Sequence, residues 1–151
     1  MSRSLDQVYE DLHRRELEAR DELVAAYSLL LEAEIAAMNP STGSPAEVRR
    51  WRREGRIFGV PHQGVDRYPA FQFKDGQPKR VIAQVLEHLS PADPAERDDP
   101  ALEPPYSDWA IAFWFCGANG WLEAGAPVDF LDINPTAVVV AASHARDLTS
   151  D

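Results

Sequence analysis

From residue 5 to residue 38 the chain has no proline or glycine, and Leu12, Ala19, Leu23, Ala26, Leu30, Ala33 and Ala37 recur at a seven-residue step and then at three- and four-residue steps. That period predicts a long helix, or a helical pair, over residues 5–38. Ser4 with Gln7 forms a capping box at its start, and Asn39-Pro40 ends it. The seam is built largely of small residues, which suits packing on the protein's own core or on a partner helix in a dimer.

The next start signal is Ser44-Pro45-Ala46-Glu47, with serine as cap, proline in the first helical position and glutamate closing the box. Val48 and Trp51 lie three apart and face inward, Arg49, Arg50, Arg52 and Arg53 spread over the exposed sides, and Gly55 ends the helix. Ile57 to Val60 and Ala70 to Phe73 are β-prone runs separated by turn chemistry at Pro61 and Gly64 to Asp66, which predicts a small hairpin or a pair of extended segments. After the Asp75-Gly76 turn, Val81, Ile82, Val85, Leu86 and Leu89 mark one face of an amphipathic helix.

Residues 91–106 carry five prolines, five acids and one arginine and read as a solvated connector. Ser107 caps a helix around Trp109, Ala112, Phe113, Phe115 and Cys116 that is apolar nearly all round, until Gly117 and Asn119-Gly120 end it. Pro127 opens a short helix through Leu131, and Asn134-Pro135 starts a last one over residues 135–146. The expected fold is a small, mainly α domain with a short β hairpin between helices. Its segments are 1–43 (helical, with a role in dimerisation), 44–90 (basic helix, hairpin and amphipathic helix), 91–106 (connector) and 107–146 (helical).

Composition narrows the class. With 151 residues, 44% of them hydrophobic, the chain has the length and apolar surface of one folded domain. The longest apolar run, Trp109 to Cys116, is far short of the ~20 residues that span a bilayer. The N-terminus also lacks the apolar core of a secretory signal, so a cytoplasmic location is expected. One cysteine, Cys116, excludes an intramolecular disulfide. The net charge of −10 divides as −5 over residues 1–38, +4 over 39–90 and −9 over 91–151, leaving a basic middle between acidic ends.

Nucleophilic catalysis would need Cys116 beside His62, His88 or His144, and no spacing supports that. Cys116 lies in an apolar run, where cysteine acts as a small hydrophobe. His62 falls in a turn, His88 on a polar helix side and His144 near the C-terminus, and all three read as surface residues. No paired-histidine metal motif, EF-hand loop or glycine-rich phosphate loop occurs, so no enzyme, metal or cofactor is expected. Arg49, Arg50, Arg52 and Arg53 suit phosphates or base edges, which would make the chain a stand-alone DNA-binding regulator, or they form a solvated face. The preceding loop is longer than a helix-turn-helix allows. Trp109, Trp114 and Trp121 are dense for an acidic segment; Trp109 reads as core, whereas Trp121, beside Gly120 in a loop, reads as an interface residue.

Trp109 to Phe115 with Asn119-Gly-Trp-Leu122, Gly125-Ala-Pro127, Phe130-Leu131 and Val138 to Ala142 resembles the toxin-binding domain of Xre/MbcA/ParS-type antitoxins. Upstream, Trp51, Gly55 to Phe58, Tyr68 to Phe73 and Gly76 to Pro78 resemble the segment that precedes it, so the likeness covers residues 44–146. It implies a mostly helical, often dimeric antitoxin that occludes a RES-domain toxin, an NAD-consuming enzyme, and that commonly represses its own operon by binding operator DNA. The toxin-facing residues it implies are Trp109, Trp114, Asn119, Leu122, Pro127 and Leu131, with the last helix through Arg146 near the toxin's active-site mouth. Trp121 joins them as the less easily buried aromatic of the same loop. The first 38 residues do not match the family's DNA-binding domain, and the connector looks like an insertion.

Overall fold

A computed structural model of the chain describes residues 4–38, 43–89 and 108–145; the connector, Ser107 and Arg146 lie outside them. Helix α1 runs Leu5–Ala26, opened by the Ser4–Gln7 capping box with both bonds at 3.3 Å. The helical pattern predicted through residue 38 breaks at Tyr27, whose backbone turns extended. Leu29–Leu30 (β1) then pairs with a later strand before α2, Glu32–Ala37, resumes. Nothing local stops α1 here. Ser28 C=O accepts from Ala70 N–H at 2.8 Å, and the Tyr27 ring meets the edge of Phe71 at 6.0 Å, so distant partners pull the chain out of the helix. The expected seam is broken with it: Leu23 is buried, while Leu12, Ala26, Ala33 and Ala37 are exposed.

Helix α3, Pro45–Arg53, follows its sequence closely. Ser44 Oγ accepts from Glu47 N–H at 3.2 Å, and Val48 and Trp51 are buried. Gly55 adopts φ 75°, with Gly55 N–H on Arg52 C=O and Arg56 N–H on Trp51 C=O. This left-handed cap satisfies the last carbonyls and stops the helix.

The predicted hairpin is present, but its strands are shifted. Val60–His62 (β2) and Val65–Pro69 (β3) pair antiparallel, so the stretch read as a turn from Gly64 to Asp66 contributes strand residues, and His62 ends a strand. Gln63 and Gly64, both at positive φ, make the two-residue turn that matches strand twist. With β1 the order is β1-β3-β2. Ala70–Gln72, expected as strand, is a 3-10 turn, and a smaller ladder joins Phe73–Lys74 (β4) to Gln77–Pro78 (β5) through Asp75-Gly76.

Helix α4, Arg80–Leu89, buries Val81, Ile82, Val85, Leu86 and Leu89, the five positions its period selects. Helices α5 (Asp108–Cys116), α6 (Pro127–Phe130) and α7 (Pro135–Ser143) complete the described elements. The chain is therefore mainly α with small antiparallel sheets. α4 packs along α7, so residues on either side of the connector share one core. A second, smaller cluster joins Ile35, Val48, Trp51, Ile57 and Tyr68. Among the described residues no helix is long and apolar enough to cross a membrane.

Candidate protein-binding site

Helix α5 is apolar on every side because it is wrapped by the core. Trp109, Ile111, Ala112 and Phe115 are buried, and Trp109 Nε1 donates to Pro61 C=O at 3.0 Å while the Arg20 guanidinium lies 5.0 Å from its ring centre. Beyond Gly117 the chain makes a 3-10 turn, Gly120–Leu122. Asn119 organises it: its side chain accepts from Trp121 N–H at 2.9 Å, its C=O accepts from Leu122 and Ala124 at 3.0 Å, and its N–H donates to Gly125 C=O at 3.0 Å. Glu123 and Ala124 close the loop in the left-handed region.

That turn sends neighbouring side chains opposite ways. Leu122 goes into the core, and Trp121 stands out with 55% of its surface exposed. The Trp121 ring stacks on His144, with centroids 3.9 Å apart and planes 11° from parallel. Together they border a groove of about 510 Å³ lined by Trp114, Asn119, Trp121, Ala141 and His144. The floor is firm because α7 buries Val138, Ala141 and Ala142, and Asn134 caps its start at 3.2 Å. Val140, one turn before His144, is also exposed.

Of the residues the resemblance points to, Trp114, Asn119 and Trp121 meet at this groove. Trp109, Leu122, Pro127 and Leu131 are buried and offer no surface; they hold the face from beneath. Arg146 lies outside the described residues. His144, read as an ordinary surface histidine, is the wall that sequence missed. It lies 23 positions from Trp121, and no local pattern links them.

The α3 arginines are engaged with carboxylates of the same chain. Arg49 bridges Glu32 at 3.1 Å, Arg50 pairs with Glu47 and Glu54, and Arg52 reaches Asp66 at 2.7 Å and Asp108 at 3.4 Å. Arg53 also points from this helix and is exposed. Arg52 additionally lies over the Tyr68 ring, and so ties α3 to the hairpin and to α5. Burial, helped by nearby Asp66, holds the Asp108 carboxyl above its usual range even though Arg52 opposes the shift.

Cys116 is half-buried beside the Tyr27 side chain. Burial pushes its thiol up from 9.0 to about 11, the opposite of nucleophile activation. Two pH units at the thiol lower its thiolate fraction about 100-fold, so at pH 8 the native thiol is expected to react with a thiol reagent about 100-fold more slowly than the unfolded chain. Native and unfolded rates within tenfold of each other would contradict this. The Tyr27 hydroxyl is raised too, chiefly by burial. Both groups ionise first in the unfolded chain, so stability is full below pH 9 and falls as pH rises toward 11.

Among the described residues no group of three or more His, Cys, Asp or Glu could hold a metal ion. Comparison with known proteins gives no match: no family model, curated protein or solved structure is similar to this chain.

Proposed function

We propose that this chain is an antitoxin that binds a RES-domain toxin and occludes its active site, using the Trp121–His144 face and no chemistry of its own. The observation that carries the reading is the exposed Trp121 ring, held flat on His144 at the rim of a groove by a tightly bonded turn. A tryptophan ordered before binding loses little side-chain entropy when it docks, which is how interface anchors contribute more than their area suggests. The resemblance of residues 107–146 to toxin-binding domains supplies the partner class. Helix α3 does not enter this reading, because Arg49, Arg50 and Arg52 already neutralise carboxylates of their own chain.

The test is co-purification with the product of the adjacent reading frame, with NAD consumption by that protein measured with and without this chain. A stable complex that halts NAD loss is expected. Trp121→Ala should weaken it by about 2 kcal/mol or more, roughly 30-fold in Kd, with an unchanged melting temperature. Absence of a complex, or a Kd that Trp121→Ala leaves untouched, would remove the reading.

A further inference from the structure

Arg20, Arg49, Arg50 and Arg52 each pair with a carboxylate of their own chain, and Arg67 does not. Among the described residues no acid pairs with Arg67, and its Nε is enclosed without a hydrogen-bond partner. The strand register explains this. Arg67 stands opposite Val60 and Val65 opposite His62, so these side chains share one sheet face, whereas Asp66 and Tyr68 point to the other. On that other face Arg52 takes Asp66 at 2.7 Å. On the face of Arg67, Val60 joins the larger core, the His62 ring meets the Trp109 ring at 6.3 Å, and the Arg20 guanidinium lies 5.0 Å from the centre of the same indole. Glu16 reaches this layer from α1 and is held by Arg20 at 2.7 Å. The Nε of Arg20 is likewise enclosed and unpartnered. Two guanidiniums thus approach one layer with one carboxylate to balance them. Enclosing a guanidinium nitrogen without an acceptor costs stability, and native folds keep such a group where another contact offsets the loss.

We propose that Arg67 is the binding residue of an oxyanion site on the hairpin, where its two Nη groups grip a carboxylate or phosphate end-on and Arg20 adds positive potential from α1. Arg67 is half-buried, and its Nη groups are not enclosed as Nε is, so the fork is the part that a ligand reaches. With the stem fixed by its surroundings, the fork is ordered before binding, and its parallel N–H groups match two oxygens of one anion. His62 and the 46% exposed Val65 form the rim. No residue of this site lines the Trp121 groove, and the inference does not rest on the antitoxin reading.

The full chain is titrated with inorganic phosphate and, separately, with acetate, against sodium chloride at matched ionic strength, and followed by nuclear magnetic resonance at the Arg67 Nε–H and the Trp109 indole N–H. Saturable shifts at both groups are expected at millimolar oxyanion, with none in chloride. A response to phosphate alone assigns a phosphate ligand, one to acetate alone a carboxylate, and one to both the shared oxyanion chemistry. Arg67→Met keeps the length of the stem and removes the charge, so it should weaken binding about tenfold or more while the circular dichroism spectrum is unchanged. Arg67→Lys should bind more weakly than the parent, because a point charge cannot grip two oxygens in parallel. Arg20→Gln should weaken binding severalfold without abolishing it. If Arg67→Met does not fold, Arg67→Lys carries the comparison, and parental affinity in that variant would refute the site. Shifts that grow without saturation in all three salts, or a saturable response that survives Arg67→Met, would equally overturn the proposal.

Discussion

Replacing Phe115 by alanine is expected to lower the unfolding free energy by about 3–5 kcal/mol. Phe115 is fully buried, stacks on Phe58 at 5.5 Å with planes 1° apart, and touches the rings of Phe71 and Trp114 at 5.3 and 5.2 Å. Three segments of the chain therefore meet on one side chain, and removing it loses both the transfer energy of the ring and the contacts around the space it leaves. Domains are held together by a net of only about 5–15 kcal/mol, so this loss is a large share of the total. For a chain of this size the melting temperature should fall by on the order of 10 °C. Phe115→Leu, which refills part of the volume, should recover much of that difference. A denaturant midpoint unchanged by Phe115→Ala would show that the packing around α5 differs from that described.

Replacing Gln72 by leucine should cost nearly as much, by a different route. Gln72 is fully buried, and its side-chain amide is fully used: Oε1 accepts from Phe58 N–H at 2.8 Å, and Nε2 donates to Phe58 C=O at 2.8 Å and Pro69 C=O at 3.2 Å. Ile57 belongs to the smaller hydrophobic cluster and Phe58 to the larger, so this amide pins the backbone at the seam between the two. Leucine removes the partner but leaves a buried N–H and two buried carbonyls, each costing about 1–3 kcal/mol unpaired, and a total loss of about 3 kcal/mol or more is expected. Gln72→Glu sharpens the test. Burial would raise the new carboxyl, and only its protonated form can donate to a carbonyl, so its deficit should be smallest in acid and grow as pH rises toward neutral. Equilibrium unfolding at pH 4 and pH 7 checks both variants, and a Gln72→Leu variant as stable as the parent would refute the assignment.

The candidate site shows where reading along the chain stops. Trp121 stands out in sequence because Asn119-Gly120 breaks the helix before it, and a tryptophan beside glycine in a loop has few local ways to be buried. Its partner His144 lies 23 positions away, and only the packing of α7 against the turn brings the two rings to 3.9 Å. The buried role of Leu122, Pro127 and Leu131 is likewise a matter of tertiary direction, since in a turn the inward and outward positions follow no fixed period. Gln72 was legible only as part of a β-prone run. A polar residue becomes structural when the chain encloses it, and no spacing announces that.

By itself the sequence determined the features that depend on contacts within a few residues. These are the Ser4 and Ser44 helix starts, the Gly55 stop, the five-residue apolar face of α4, and the mainly α class with a small hairpin. Each follows from helical period, capping chemistry or glycine's access to positive φ, all of which act locally. Only the tertiary structure decided the break after Ala26, the placing of the hairpin strands at Val60–His62 and Val65–Pro69, and the Trp121–His144 stack. In residues 27–30 helical propensity is opposed by β1 pairing with β3, by the Ser28–Ala70 hydrogen bond and by the Tyr27–Phe71 contact. Helix propensity differences amount to tenths of a kcal/mol per residue, and burial of one large side chain is worth about 1.5–3 kcal/mol, so the distant partners prevail.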